Sequence, residues 1–294
     1  MRRTLSSVAL ALAVVSIVSG TQANAPLPDA TRFLAEARKR LASNELLQSA
    51  YTFRERVTEM RLNPFGQIGT GPVEVYDVYP IAPGELEYHR LIERGGVPVS
   101  ATELREQDRQ FLARYEQWRS AAGREGRTER EARLKRLALT REKNQREAQE
   151  ASDLFEFALE RREVMDGQPV IVVSFKPRPN VRPRSREGRM ASNFAGFAWV
   201  HEHEYEVMRV EAEAMNDTIF GWGLIAKLHK GAKALFTRRK FSGDWLPVET
   251  RVSGTGRAML FRKVSINYLR ECSNYRRFDL SQLAALVDGA RGSK

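Results

Sequence analysis

The sequence predicts an α+β fold: one strongly curved antiparallel sheet, an incomplete β-barrel of about ten or eleven strands. A helix at the N-terminus lies over its concavity, and a helical hairpin is inserted midway. Three observations carry this prediction. Apolar residues alternate with a period of two from Tyr51 to about Ile92 and again from Phe155 onward. They recur at helical spacing in two other places, after Pro28 and after Ser100. The strand-like stretches repeat at intervals of roughly ten residues with turn residues between them, as in sandwiches and barrels. A continuous sheet of that size curls rather than staying flat.

Taken in order, the chain opens with Met1-Arg2-Arg3, an apolar run from Val8 to Val18 and an Ala-x-Ala end. That is the pattern of a secretory signal peptide over residues 1–25, cleaved after Ala23 or Ala25. The run is too short to span a bilayer. Residues 26–294 then form a single domain. Pro28 and Asp29 supply first-turn and capping chemistry for a helix whose stripe is Phe33, Leu34, Ala37 and Leu41. In "YTFRERVTEMRL", Tyr51, Phe53 and Val57 face one way and Arg54 and Arg56 the other; "VEVYDVY" and "ELEYHRLI" repeat the pattern. One wet face implies antiparallel pairing. Ser100 and Glu103 have capping-box spacing, and Leu104, Phe111, Tyr115 and Trp118 follow at helical steps. After "AAGREGR" a heavily charged helix resumes, so residues 100–152 read as an inserted helical arm with solvated faces. Asp166-Gly167 marks a tight hairpin turn, and Val170 to Phe175 reads as a central strand. The C-terminal "FDLSQLAALVDGARGSK" is a short helix or a tail.

The net charge of +11 favours anionic partners. An exported protein has little occasion to meet nucleic acid, so phospholipid head groups, lipopolysaccharide or acidic proteins are the expected class. The lone Cys272 excludes an internal disulfide, and its place in a strand suits a small core hydrophobe. No G-x-S-x-G elbow and no Walker loop occurs. His201-Glu202-His203-Glu204 is the one quartet suggesting a metal, but an isolated histidine pair lacks further ligands and the helical HExxH pattern is absent. It reads as a solvated hairpin turn. No catalytic residue, metal or cofactor is expected.

A leader, one amphipathic helix, a strand opening "YTFRERV", then a long series of strands with helices inserted midway: this layout resembles the periplasmic lipoprotein-carrier family, the half-barrel proteins of outer-membrane lipoprotein sorting. The closest local likeness is "RMASNFAGFAWVHEHEYEVMRVEA". The leader and the lack of a later long apolar stretch predict a soluble protein outside the cytoplasm, most simply in a bacterial periplasm; a monomer is favoured, with room for peripheral contact to the membrane. The resemblance implies a half-barrel plugged by helices over an apolar concavity. Such likeness is an analogy for function.

Two groups of residues could serve that function. Phe53, Tyr88, Phe157, Phe197, Trp199, Phe220, Trp222 and Leu224 could line one apolar concavity, or could be the packed core beneath the N-terminal helix. Lys176, Arg178, Arg182, Arg184, Arg186 and Arg189, on a proline-extended loop with one acid, suit an anionic group; the plain alternative is a solvated loop. Arg54, Arg56 and Arg90 are further rim candidates. The expected function is non-enzymatic carriage of a lipid or lipoprotein. The alternative is an interaction or sensor module whose helical arm contacts an envelope protein. An open apolar cavity favours the carrier; a sealed core with an exposed Phe111-Tyr115-Trp118 stripe favours the module.

Overall fold

The computed structural model describes residues 26–43, 47–58, 63, 65–82, 85–221, 225–258, 262–279 and 281–282. The segment read as a signal peptide lies outside them, as do Trp222, Leu224 and the chain from 283 onward. The first elements are α1 (Ala30–Ser43), a 3₁₀ turn (Gln48–Ala50), β1 (Tyr51–Thr58), β2 (Gln67–Ile68), β3 (Val73–Ala82), β4 (Leu86–Arg94) and β5 (Val97–Pro98). Two long helices, α2 (Ala101–Arg124) and α3 (Arg127–Asp153), precede β6 (Phe155–Met165) and β7 (Gln168–Pro177). A short helix α4 (Arg186–Ala191) leads into β8 (Phe194–His201) and β9 (Val207–Ala214). The last strands are β10 (Thr218–Gly221), β11 (Ile225–Leu228), β12 (Lys233–Phe241), β13 (Asp244–Ala258) and β14 (Arg262–Arg277).

All strands belong to one unclosed, strongly curved 14-stranded sheet, ordered β5-β4-β3-β1-β14-β13-β12-β9-β8-β7-β6, with β2, β10 and β11 attached beside β14 and β13. The strand number exceeds the ten or eleven expected for two reasons. Strands β2 and β5 span only two residues each, too few to show a period. The stretch "IFGWGLIAKLHKG", whose alternation suggests one strand, holds two, β10 and β11, paired antiparallel. Tight turns at Gly95-Gly96, Asp166-Gly167 and Ser242-Gly243 carry positive φ at both residues, the geometry whose twist matches a two-residue hairpin. At Gly196 a side chain is excluded outright: a Cβ there would fall 1.8 Å from the carbonyl oxygen of Glu211, so β8 and β9 close up as only glycine permits.

Helix α1 starts where Asp29 accepts the N–H of Arg32 at 2.8 Å. It buries Phe33 and Ala37 against Ile171, Val173, Val200 and Val207. The α2–α3 arm departs from a packed hairpin. Among the described residues α2 packs on β4, whereas α3 packs on α1, α4 and the start of β6. Since β4 and β6 lie at opposite edges of the sheet, the two helices, about 36 and 40 Å long, connect one edge to the other.

The attachment of α2 is specific. Phe111, 0% exposed, stacks on Tyr88 with centroids 4.1 Å apart and planes at 7°. Asp108 accepts two bonds of 2.8 Å from Arg90 and one of 2.7 Å from the Tyr88 hydroxyl. Gln107 bonds both backbone groups of Leu91, at 3.0 and 3.2 Å, and so blunts an edge strand that could otherwise recruit another chain. The aromatic row of α2 therefore anchors the helix inward. Replacing Asp108 by alanine strands the Arg90 cation, and the expected cost is about 3–5 kcal/mol. Hydrogen exchange should show α2 losing protection while β13 and β14 keep theirs; unchanged protection in α2 refutes the anchor.

Candidate functional site

Alternation along the strands gives the sheet two faces, and the expected apolar lining divides between them. Phe157 lies on the α1 face, packed with Ile171, Val173 and Val200, beneath the guanidinium of Arg38 at 5.5 Å. Phe53 packs with Val78 and Cys272, the role expected of that cysteine. Tyr88 lies under Phe111. Trp199 packs beside Val170, Met208 and Trp245; its indole N–H donates to Glu163 at 2.8 Å and Arg209 covers its ring at 5.4 Å. These four are core or near-core, on different faces, and form no common lining. Phe220 belongs to β10, but its side chain lies outside the described residues, as Trp222 and Leu224 do entirely.

Phe197 is different. At 42% exposure it is one of the exposed large apolar residues, and it lies in a groove of about 680 Å³ crossing β7, β8, β9, β12 and β13. In it stand Ala195, Phe197 and Leu235 among the polar Ser174, Glu211, Glu213, Lys233, Arg251 and Ser253. Phe175, Gly196, Ala212 and Ala234 border it from strand positions whose side chains share the α1 face with Phe157 and Val210. Phe197 sits directly opposite Ser174 and Glu211, and Leu235 opposite Glu211 and Arg251, so the groove opens on the face away from α1. Five strands at about 4.8 Å spacing make it roughly 19 Å long. Nothing in the sequence singles out Ala195 and Leu235, because alternation alone does not say which face of a strand stays uncovered.

The basic loop enters and leaves at the Phe175 and Phe194 end of that groove. It contains α4, not merely an extended run. Glu150 of α3 accepts the backbone N–H groups of Arg184 and Ser185, and a Cβ at Gly188 would meet its carboxylate at 2.9 Å. Glu150 is held below the usual carboxylate range by these backbone donors. Lys176 pairs with Glu156 at 3.3 Å, Arg178 donates to the Phe155 carbonyl at 2.9 Å, and Arg189 to the Arg184 carbonyl at 3.2 Å. Arg182 is exposed with no partner among the described residues; the Arg186 side chain lies outside them. Of the rim candidates, Arg54 pairs with Asp77 at 2.9 Å, Arg56 with Glu271 at 2.8 Å and Arg90 with Asp108.

The histidine quartet is a hairpin turn, but not a solvated one. His201 is 4% exposed. Its Nδ1 accepts the backbone N–H groups of His203 and Glu204 at 3.2 and 3.1 Å, which leaves Nε2 to donate to Gln168 at 3.2 Å. Burial lowers its pKa, so the neutral ring that this bonding needs is favoured. Glu202 pairs with Arg162 at 2.6 Å, and Glu204 with Lys240 at 2.6 Å and the Trp245 indole at 2.7 Å. Both ring nitrogens are thus engaged, and among the described residues no group of three His, Cys, Asp or Glu side chains is placed to hold a metal.

A second cluster has no counterpart in the sequence reading. On the α1 face, Glu55, 8% exposed, is bonded by Arg270 of β14 and lies 3.5 Å from His89, whose other nitrogen is 3.3 Å from Glu87. Burial would raise the Glu55 pKa, but His89 and Arg270 outweigh it and the net shift is downward. Glu55 and Glu87 push His89 up to about 9. A histidine raised from its unfolded value of about 6.5 stabilises fully below that pH and loses its contribution as pH rises through about 9. The melting temperature should accordingly fall between pH 6.5 and 9.5, modestly because His89 is 44% exposed. In His89→Gln that slope should flatten; an identical slope in both proteins refutes the assignment.

No protein-family model matches the chain, and no curated protein is significantly similar to it. Among solved structures, an outer membrane lipoprotein-sorting protein domain from Vibrio parahaemolyticus aligns over 89% of this chain and 100% of its own, at 11% identity and a TM-score of 0.30. A DUF1329 family protein from Desulfovibrio piger aligns over 87% of this chain and 98% of its own, at 12% identity and a TM-score of 0.30. At that identity and TM-score, neither similarity assigns this chain a function.

Proposed function

We propose that this protein is a periplasmic carrier for an acyl-bearing ligand, a lipid or a lipoprotein, and that it acts by binding rather than catalysis. The observation that supports this reading is the open groove around Phe197. Its volume of about 680 Å³ falls in the range of about 300–1,000 Å³ common to small-molecule sites. Phe197, Ala195 and Leu235 give it side-chain carbon, and polar side chains such as Ser174, Glu211, Lys233 and Arg251 flank them. A chain laid across the strands would therefore meet apolar contacts at Phe197 and Leu235 with charged groups alongside. Each buried methylene contributes roughly 0.8 kcal/mol, and a dozen suffice for micromolar binding after association costs. Arg182 and the flanking loop lie at one end, where an anionic head group would emerge. The groove thus keeps the carrier reading and moves it off the face expected to hold it, which α1 occupies.

The second reading, an envelope interaction module, draws support from α3. Leu134 and Leu139 of α3 are 51% and 49% exposed. Trp118 and Tyr115 are half-buried and Phe111 is fully buried, which weakens the aromatic stripe as a contact surface.

The test is native mass spectrometry of protein purified from its own compartment, followed by titration with a fluorescent fatty acid. Wild type should carry or take up one acyl chain, and Phe197→Asp should weaken binding at least tenfold, since an aromatic contact contributes about 1.5–3 kcal/mol. Phe157→Ala should cost about 3 kcal/mol of stability yet leave affinity unchanged. A clean apo mass that supplied lipid does not alter sinks the carrier reading and directs attention to α3.

A further inference from the structure

The strands at the end of the sheet away from the His201 hairpin bring like-charged side chains together on one face. Arg257 of β13 lies directly opposite Lys263 of β14 on one side and Lys227 of β11 on the other. Directly opposed residues share a face, so three positive side chains stand in a row, all exposed. Lys227 has Asp217 at 3.0 Å; Arg257 and Lys263 have no ion-pair partner among the described residues. Like charges in this position destabilise a sheet.

The row continues to an exposed aromatic. Strand β2 runs parallel to β14 with Gln67 beside Ser265, and the Ser265 N–H donates to the Gly66 carbonyl at 2.9 Å. That register brings Phe65, 87% exposed, alongside Lys263. The turn after β9 joins the same end: Gly231 donates to Ala214 at 2.8 Å, placing exposed Lys230 next to Met215. By contrast, at the His201 end Arg162, Arg238, Arg239, Lys240 and Arg277 are each paired with a carboxylate, Arg276 being the exposed exception.

We propose that this end of the sheet docks on an anionic lipid surface, with Lys227, Arg257 and Lys263 against the head groups and Phe65 inserted among them. A flat array of cations relieved of mutual repulsion by phosphate, with one apolar ring at its margin, has the chemistry of an interfacial membrane contact. An acidic protein would satisfy the charges but gives a fully exposed phenylalanine in a turn no role. The surface is separate from the groove and stands or falls independently of what the groove carries.

The measurement is co-sedimentation of the mature protein with phosphatidylcholine vesicles with and without phosphatidylglycerol. Binding is expected only to the anionic vesicles, falling as salt rises. Lys263→Gln and Arg257→Gln should each weaken it about fivefold, and the double variant should melt no lower than wild type because the opposed charges are gone. Phe65→Ser, in an exposed turn, should weaken it further without affecting the melt. Absence of binding to anionic vesicles overturns the proposal. So does binding that the double variant retains, or binding that neutral vesicles share.

Discussion

The pairing of β1 with β14 is the seam on which the structure depends. In the strand order, everything from residues 51–98 lies on one side of it and everything from 155–277 on the other. The seam joins strands more than 200 residues apart in the chain, a closure that costs loop entropy before any contact repays it. It is correspondingly well furnished. Arg56 pairs with Glu271, Glu55 with Arg270, and Thr58 bonds both backbone groups of Leu269. Beyond the strand end, Gln48 reaches Tyr275 at 3.1 Å and Phe278 donates to the Ala50 carbonyl at 2.9 Å. The buried charge at Glu55 is tolerable only because strands from both halves supply its partners; with either half absent it would be an uncompensated ion.

The same seam explains the helices. With β1 and β14 at the centre, β4–β5 and β6 become the two free edges, and the residues between them must travel from one edge to the other. A two-residue turn cannot do this; α2 and α3 can. Each edge is dressed by the helix that reaches it: Gln107 bonds Leu91 on β4, while α3 delivers Leu154 and then Phe155 directly into β6. Helix α1 then packs on β7 and β8 and also against α3. The α1 face is thereby filled over those strands, and the opposite face of the same strands carries the groove around Phe197.

Much of this organisation was legible in the sequence because it is periodic. The strands with a period of two, the stripe of α1, the glycine-bearing turns and the capping serine at position 100 were all readable locally. What was not readable was which strand neighbours which. Phe157 and Phe197 look equivalent as aromatic residues in apolar strands, yet their parity relative to the neighbouring register puts one under α1 and the other in the groove. Likewise the quartet at His201 could be identified as a turn, but not as one whose first histidine is buried and caps it, since Gln168 and Trp245 come from other hairpins. Glu150 docking the basic loop, and Asp108 meeting Arg90, are pairings of the same distant kind.

The positive charge of the chain gains meaning from the register in the same way. Directly opposed residues elsewhere in the sheet are complementary: Arg54 faces Asp77, Arg56 faces Glu271, Glu74 faces Arg94 and Glu156 faces Lys176. Where Glu249 faces Glu271, each has its own arginine, Arg251 and Arg56. The opposition of Arg257 to Lys263 breaks this pattern without an ion-pair partner for either among the described residues. A sheet that obeys the pairing rule over most of its width, and abandons it beside an exposed aromatic, places the violation where stability has been conceded for another purpose. The excess of +11 is therefore not a uniform coat. Among the described strand residues, the directly opposed cations without an ion-pair partner, Arg257 and Lys263, lie at one end of the strands. That placement, rather than the total, is what supports the proposed contact with an anionic surface.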